Sequence, residues 1–163
     1  MTSNIIKFIH EDRIIEVRNP DPNETLLNFV RTELRKTGTK EGCAEGGCGA
    51  CTVVLGELKK NKFIYKAINA CIAFVPTLAG KQLIVVEDLV SENGSLHPVQ
   101  EAMVKYHGSQ CGFCTPGFIM SLFAMYKNHS SYKDDVIKDS ISGNLCRCTG
   151  SVSYTHLTLP TKA

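Results

Sequence analysis

Eight cysteines divide this 163-residue chain into two halves of four: Cys43, Cys48, Cys51 and Cys71, then Cys111, Cys114, Cys146 and Cys148. Each half spans only about 75 residues, a size at which one apolar core stabilises weakly and a bound metal is a common staple. The N-terminus MTSNIIKFIH lacks the basic region and long apolar run of a secretion signal. The reading therefore predicts a cytoplasmic, reducing setting in which structural disulfides are disfavoured. Spacing then favours metal ligation or catalysis over staples.

The first set has the spacing C-x4-C-x2-C in GCAEGGCGAC, with Cys71 following in INACIAF. That is the plant-type 2Fe–2S ferredoxin spacing, three ligands in one loop and a distant fourth. Two irons bridged by two sulfides need two thiolates each, and a short loop wraps three of those corners only if its backbone is permissive. Gly42, Gly46, Gly47 and Gly49 supply that freedom and let backbone N–H groups point at sulfur, where the negative charge sits. Zinc and disulfides are the alternatives; x4 spacing and four glycines are less expected of zinc.

The second set is less specific by itself. HGSQCGFCTPGF carries C-x2-C and NLCRC carries C-x-C. Iron–sulfur, zinc and a thioredoxin-like dithiol all fit, although the dithiol needs a preceding strand and the segment before it reads as helix. Cys111 and Cys114 stand just ahead of a helix opening at Thr115-Pro116, and Cys146 and Cys148 ahead of one after Gly150, if one forms there. Two helix N-termini would then face one anionic centre.

The remaining pattern is α+β with a mixed sheet. IIKFIHEDRIIEV reads as a hairpin turning at residues 10 to 13. Thr25 caps a helix with Leu26, Leu27, Val30 and Leu34 inward, stopped by Gly38. TVVL, KFIYKAI and QLIVV read as strands. After a boundary in EDLVSENGS, helical spacing takes over. His97-Pro98 opens one helix, with Val99, Met103 and Tyr106 on a face. Thr115-Pro116 opens a second with Phe118, Ile119, Leu122, Phe123 and Tyr126 inward. Ser131 caps a third with Val136, Ile137 and Ile141 inward, ended by Gly143-Asn144. Met120, Phe123 and Met125 read as core. His97 reads as a cap, His107 as a helix-end cation, and His129, Lys40 and Glu41 as solvated. The formal charge of +2 and the lack of basic–aromatic runs argue against nucleic acid. No stretch approaches the about 18 apolar residues of a membrane span.

The segments GTKEGCAEGGCGACTVVL, INAC, LHPVQEAMV, HGSQCGFCTPGFIMS and GNLCRCTG occur in that order. They resemble the iron–sulfur portion of the molybdenum hydroxylase (xanthine oxidase) family, and within it most of all the bacterial xanthine dehydrogenase small subunits, over residues 5 to 150. The resemblance implies a ferredoxin-like β-grasp domain, residues 1–88, and an all-α four-helix 2Fe–2S domain, residues 89–150. It implies that Cys43, Cys48, Cys51 and Cys71 bind the cluster nearer FAD, and that Cys111, Cys114, Cys146 and Cys148 bind the one nearer the molybdenum cofactor. It gives Gln110 a contact with the pterin. The implied function is an electron wire with no bond chemistry of its own. A purine is hydroxylated at molybdenum on a large subunit, and electrons pass through both clusters to FAD and NAD. The FAD domain would lie in a missing C-terminal part or on a separate subunit. A small subunit of another molybdenum hydroxylase, acting on aldehydes, carbon monoxide or N-heterocycles, is the nearest alternative. From other classes, a stand-alone electron carrier and a zinc-stapled interaction module remain.

The chain closes on SVSYTHLTLPTKA, which has no apolar face of helical period and departs from the family pattern after CRCTG. VSYTHLTLPT can be reverse-translated into a sequence resembling a transposase adapter used in library preparation. The expectation is that residues 151–163 are a translated adapter, that the natural protein continues, and that the fourth helix is missing.

Overall fold

A two-residue turn, Glu11-Asp12, joins β1 (Ile5–His10) to β2 (Arg13–Arg18) in the antiparallel register Ile9 to Ile14 and His10 to Arg13. Glu11 supplies the left-handed backbone (φ 53°) that an Asn-Gly pair would otherwise provide. The computed structural model describes residues 4–130 and 132–152. The predicted cap at Ser131 and residues 153–163 lie outside them.

Helix α1 (Leu26–Thr32) begins as expected. Thr25 is extended, and its hydroxyl accepts the Asn28 N–H at 3.3 Å. It does not run on to Gly38. Leu34 falls beyond its end, Arg35 turns left-handed (φ 53°), and the Lys36 N–H returns to the Val30 carbonyl at 2.9 Å. Gly38 serves close approach instead. A Cβ there would stand 2.7 Å from Val86 Cγ1, and its N–H donates to Glu87 Oε1 at 2.6 Å.

Strands β3 (Thr52–Lys59) and β4 (Lys62–Asn69) form the second hairpin, and β5 (Gln82–Ile84) completes the sheet in the order β2-β1-β5-β3-β4. Among the described residues only β1 and β5 pair in parallel. QLIVV is strand only as far as Ile84, because Val85 donates to the Asp88 carboxylate at 2.8 Å and Val86–Leu89 wind into a 3₁₀ turn.

Val53, Val54 and Leu55 are apolar without alternation because β3 is buried on both faces. Val53 and Leu55 join Ile6, Phe8 and Leu83 beneath Leu26, Leu27, Phe29 and Val30 of α1, with the rings of Phe8 and Phe29 edge to face at 6.0 Å. On the opposite face Val54 and Ile84 meet Leu89, Val99, Ile119, Met120, Phe123 and Ala124.

Leu89 closes the 3₁₀ turn, and the others come from the helices α2 (Pro98–Lys105) and α3 (Thr115–Asn128); α4 (Asp134–Ile141) follows. His97 is the N-cap of α2, its Nδ1 accepting the Val99 N–H at 3.3 Å while Gln100 Oε1 accepts the His97 N–H at 3.0 Å. The buried face of α3 is rotated from the predicted one. Met120 and Ala124 are buried, Phe118 and Leu122 half-buried, and Tyr126 exposed. The reason is that α3 packs against β3 and β4 as well as against α2 and α4. Val136, Ile137 and Ile141 of α4 are half-buried. Met125 is half-buried, less so than a core residue, and His107 lies exposed just past α2 in a left-handed conformation (φ 54°). The segment Arg147–Val152 is a π-helical turn containing Cys148, so no helix begins after it among the described residues.

Candidate metal centres

No disulfide links any of the eight cysteines, all of which lie among the described residues. The loop between α1 and β3 holds three of them, and Cys71 joins from the turn after β4. Left-handed Ala44 (φ 58°) and Gly46 (φ 80°) curl the loop so that its amides converge. The N–H groups of Glu45, Gly47 and Cys48 all donate to Cys43 Sγ, at 3.5, 3.2 and 3.4 Å. Those donors, Glu45 first, bring the Cys43 thiol down to about 7. The loop is tied to the sheet by Asn69 Nδ2, which donates to the Gly46 carbonyl at 2.6 Å. Lys40 is half-buried, its ammonium on the Thr37 carbonyl at 2.7 Å, while Glu41 is exposed.

Within this set Cys48 influences both Cys43 and Cys51, and Cys71 acts on Cys51. Cys51 is buried, and burial pushes its thiol up to about 12. A thiolate there needs a cation bound to it, since desolvation disfavours the bare charge.

The second set gathers at the N-terminus of α3 and in the chain after α4. Its thiols pair, Cys111 with Cys148 and Cys114 with Cys146. The Phe113 N–H is the main cause of a lowered Cys111 thiol; contact with Cys111 is the main cause of a raised Cys148. Burial lifts Cys114 to about 11. The Thr149 N–H donates to Cys146 Sγ at 3.2 Å. All four line a cavity of about 290 Å³, whose wall also includes Gly42, Cys48 and Ala50 of the first loop.

Four thiolates suit a binuclear centre, two ligands to each iron. A single zinc would draw its four sulfurs to about 3.8 Å from one another, given Zn–S bonds of about 2.3 Å. Among the described residues, the group whose donor atoms gather within 4.8 Å is His10, Glu11 and Asp88, not a cysteine set. That group is occupied by the Lys36 ammonium, 2.7 Å from Glu11 and 3.3 Å from Asp88.

Gln110 is exposed beside Cys111. Sequence reasoning overlooked Asn144 and Gly117, which join the two loops. Asn144 contacts Gly49, 95 positions away, and no local pattern announces such a partner.

The family described as "2Fe-2S iron-sulfur cluster binding domain" matches residues 8–76, and that described as "[2Fe-2S] binding domain" matches residues 85–156. A xanthine dehydrogenase of Blastobotrys adeninivorans is 51% identical over 137 residues, 82% of this chain and 10% of that protein. An aldehyde oxidase 1 of Oryctolagus cuniculus is 43% identical over 148 residues, 90% of this chain and 11% of the relative. The chain thus spans about a tenth of the length of these curated relatives. Among solved structures, quinoline 2-oxidoreductase from Pseudomonas putida 86 superposes with a TM-score of 0.74 at 28% identity, covering 94% of this chain and 88% of that one. The aldehyde oxidoreductase from Desulfovibrio gigas gives 0.76 at 31%, covering 91% and 15%. With two 2Fe–2S domain matches laid over two sets of four thiols, the chain belongs to the molybdenum hydroxylase family, as the iron–sulfur electron-transfer part of its xanthine dehydrogenase and aldehyde oxidase type.

Proposed function

We propose that Cys43, Cys48, Cys51 and Cys71 hold one 2Fe–2S cluster, that Cys111, Cys114, Cys146 and Cys148 hold the other, and that the chain conducts electrons within a xanthine dehydrogenase-like oxidoreductase. The observation that carries this is the convergence of three backbone amides on Cys43 Sγ in a loop holding three of the first four cysteines, together with the gathering of all four second-set cysteines around one cavity that Cys48 also lines. When bound, each cluster supplies a one-electron carrier. The chain's own residues hold the sulfurs and direct amides at Cys43 and Cys146. They also bury Cys51, and thereby set the environment on which a cluster's potential depends.

In the finer reading the second set faces a molybdenum-cofactor subunit and the first faces FAD, with NAD as final acceptor and a purine as substrate. Gln110, exposed beside Cys111, would meet the pterin. The identity to a xanthine dehydrogenase supports the purine. The similarity to an aldehyde oxidase supports an aldehyde as the second reading. Turnover of the native complex on xanthine against aromatic aldehydes separates the two.

The cluster assignment is tested directly. Purified protein should be red-brown and contain about four irons per chain with matching sulfide. Cys114→Ser should remove one of the two paramagnetic signals of the reduced protein and Cys51→Ser the other. A colourless protein containing zinc would sink the reading. The same reading divides the chain into domains at 1–88 and 89–150 and makes 151–163 foreign to it. Sequencing genomic DNA across the Gly150 codon checks the last point: SVSYTHLTLPTKA encoded there and followed by a stop would refute it.

A further inference from the structure

Resting on the reading that both thiol sets carry clusters, we propose that Asn144 is a positioning residue that fixes the separation between them. Its side chain lies at the junction of the two halves. Nδ2 donates to the Gly49 carbonyl at 3.1 Å and lies 3.4 Å from Thr52 Oγ1. The next residue, Leu145, donates its backbone N–H to the Cys48 carbonyl at 2.9 Å. Neighbours of Cys146 are therefore bonded to a first-set cysteine and to the glycine after it.

Two glycines make this approach possible. A Cβ on Gly117, in the first turn of α3, would stand 2.1 Å from the Gly49 oxygen and 3.1 Å from Asn144 Nδ2. A Cβ on Gly49 would stand 2.3 Å from the Gly143 oxygen and 2.6 Å from Asn144 Nδ2. Every member of the junction sits close in sequence to a cysteine: Gly49 follows Cys48, Gly117 follows Cys114 by three, and Asn144 precedes Cys146 by two. A shift here moves the sulfurs themselves.

The chemistry calls for an amide. The Gly49 carbonyl already accepts from Thr52 N–H at 3.2 Å and Thr52 Oγ1 at 2.7 Å, and Asn144 brings a third donor. An aspartate of the same shape would set a charged acceptor against that carbonyl. The helical half would then lose its side-chain tie to the first loop. Electron exchange between two centres falls exponentially with their separation, so a residue holding this contact governs how well the halves communicate.

The test uses the full chain loaded with iron and sulfide and reduced with dithionite. Two nearby paramagnetic clusters split each other's resonance lines by a dipolar interaction that falls with the inverse cube of distance. Wild-type protein should show both signals and the splitting. Asn144→Asp and Asn144→Ala should keep both signals and full iron content while the splitting narrows, and Gly117→Ala should narrow it further. Unchanged splitting in all three loaded variants overturns the positioning role and leaves the cluster assignment standing. Loss of one signal in either Asn144 variant also overturns it, because Asn144 would then support a ligand loop, not a spacing. Wild-type protein without paramagnetic clusters removes the functional reading and this inference with it.

Discussion

At the residue scale, the cysteine loop was legible because its chemistry is local. C-x4-C-x2-C with four interspersed glycines demands a curled backbone, and left-handed Gly46 with three amides on Cys43 supplies it. Gly46→Ala forces a Cβ into the left-handed region, which costs about 1–2 kcal/mol, and places it 2.6 Å from Ile72 Cδ1. The expected result is reduced iron and sulfide at the first site with the second site's signal retained. His97 makes a different prediction. Burial, and secondarily Lys127, hold its pKa below the ordinary value of 6.5. Folding therefore favours the neutral ring, whose Nδ1 accepts the Val99 N–H. The cap's contribution is complete above about pH 6.5 and is lost as pH falls through the lower folded value. Thermal midpoints should fall as the pH is taken down from about 7 through and below the ordinary histidine value of about 6.5 in wild type, and change less in His97→Asn, whose cap does not titrate.

At the level of elements, starts were easier to read than stops. Thr25 and His97-Pro98 announce helix N-termini through side chains within three residues, and both helices begin there. Thr25→Ala should cost about 1 kcal/mol, read as a lower denaturation midpoint with an unchanged slope. The end of α1 was misread because glycine has two uses. Gly38 looked like a helix stop, but the contact with Val86 and Glu87, nearly fifty positions away, is what excludes a side chain. The face of α3 was misread for a related reason. Helical period gives an apolar stripe, but a helix touching a sheet and two helices buries more than one stripe; Ala124 records the extra contact, while Met120, read as core, is buried.

At the scale of the molecule, the order of elements and the mixed sheet were readable, but the intimacy of the two halves was not. Two sets of four cysteines suggested two modules joined by a link. Instead β3 is a common wall, with Val53 and Leu55 facing one core and Val54 the other. Such a structure should answer to its metal as a unit. Removing iron with a chelator under reducing conditions should lower the thermal midpoint and broaden the transition of both halves, since ligand binding contributes folding free energy. Calorimetry on loaded and stripped protein reads this out. Two well-separated transitions, one unmoved by loss of either cluster, would count against the common wall.

The bond from Leu145 to the Cys48 carbonyl has a consequence for how the protein is made. The ribosome delivers Cys43, Cys48, Cys51 and Cys71 long before it delivers residues 144 and 145. The nascent first site is complete in thiols while its outer side still lacks the segment that will cover it. On the proposed assignment, iron and sulfide reaching the first loop during synthesis would meet a Cys48 carbonyl still open to solvent, and after synthesis one already taken by the Leu145 N–H.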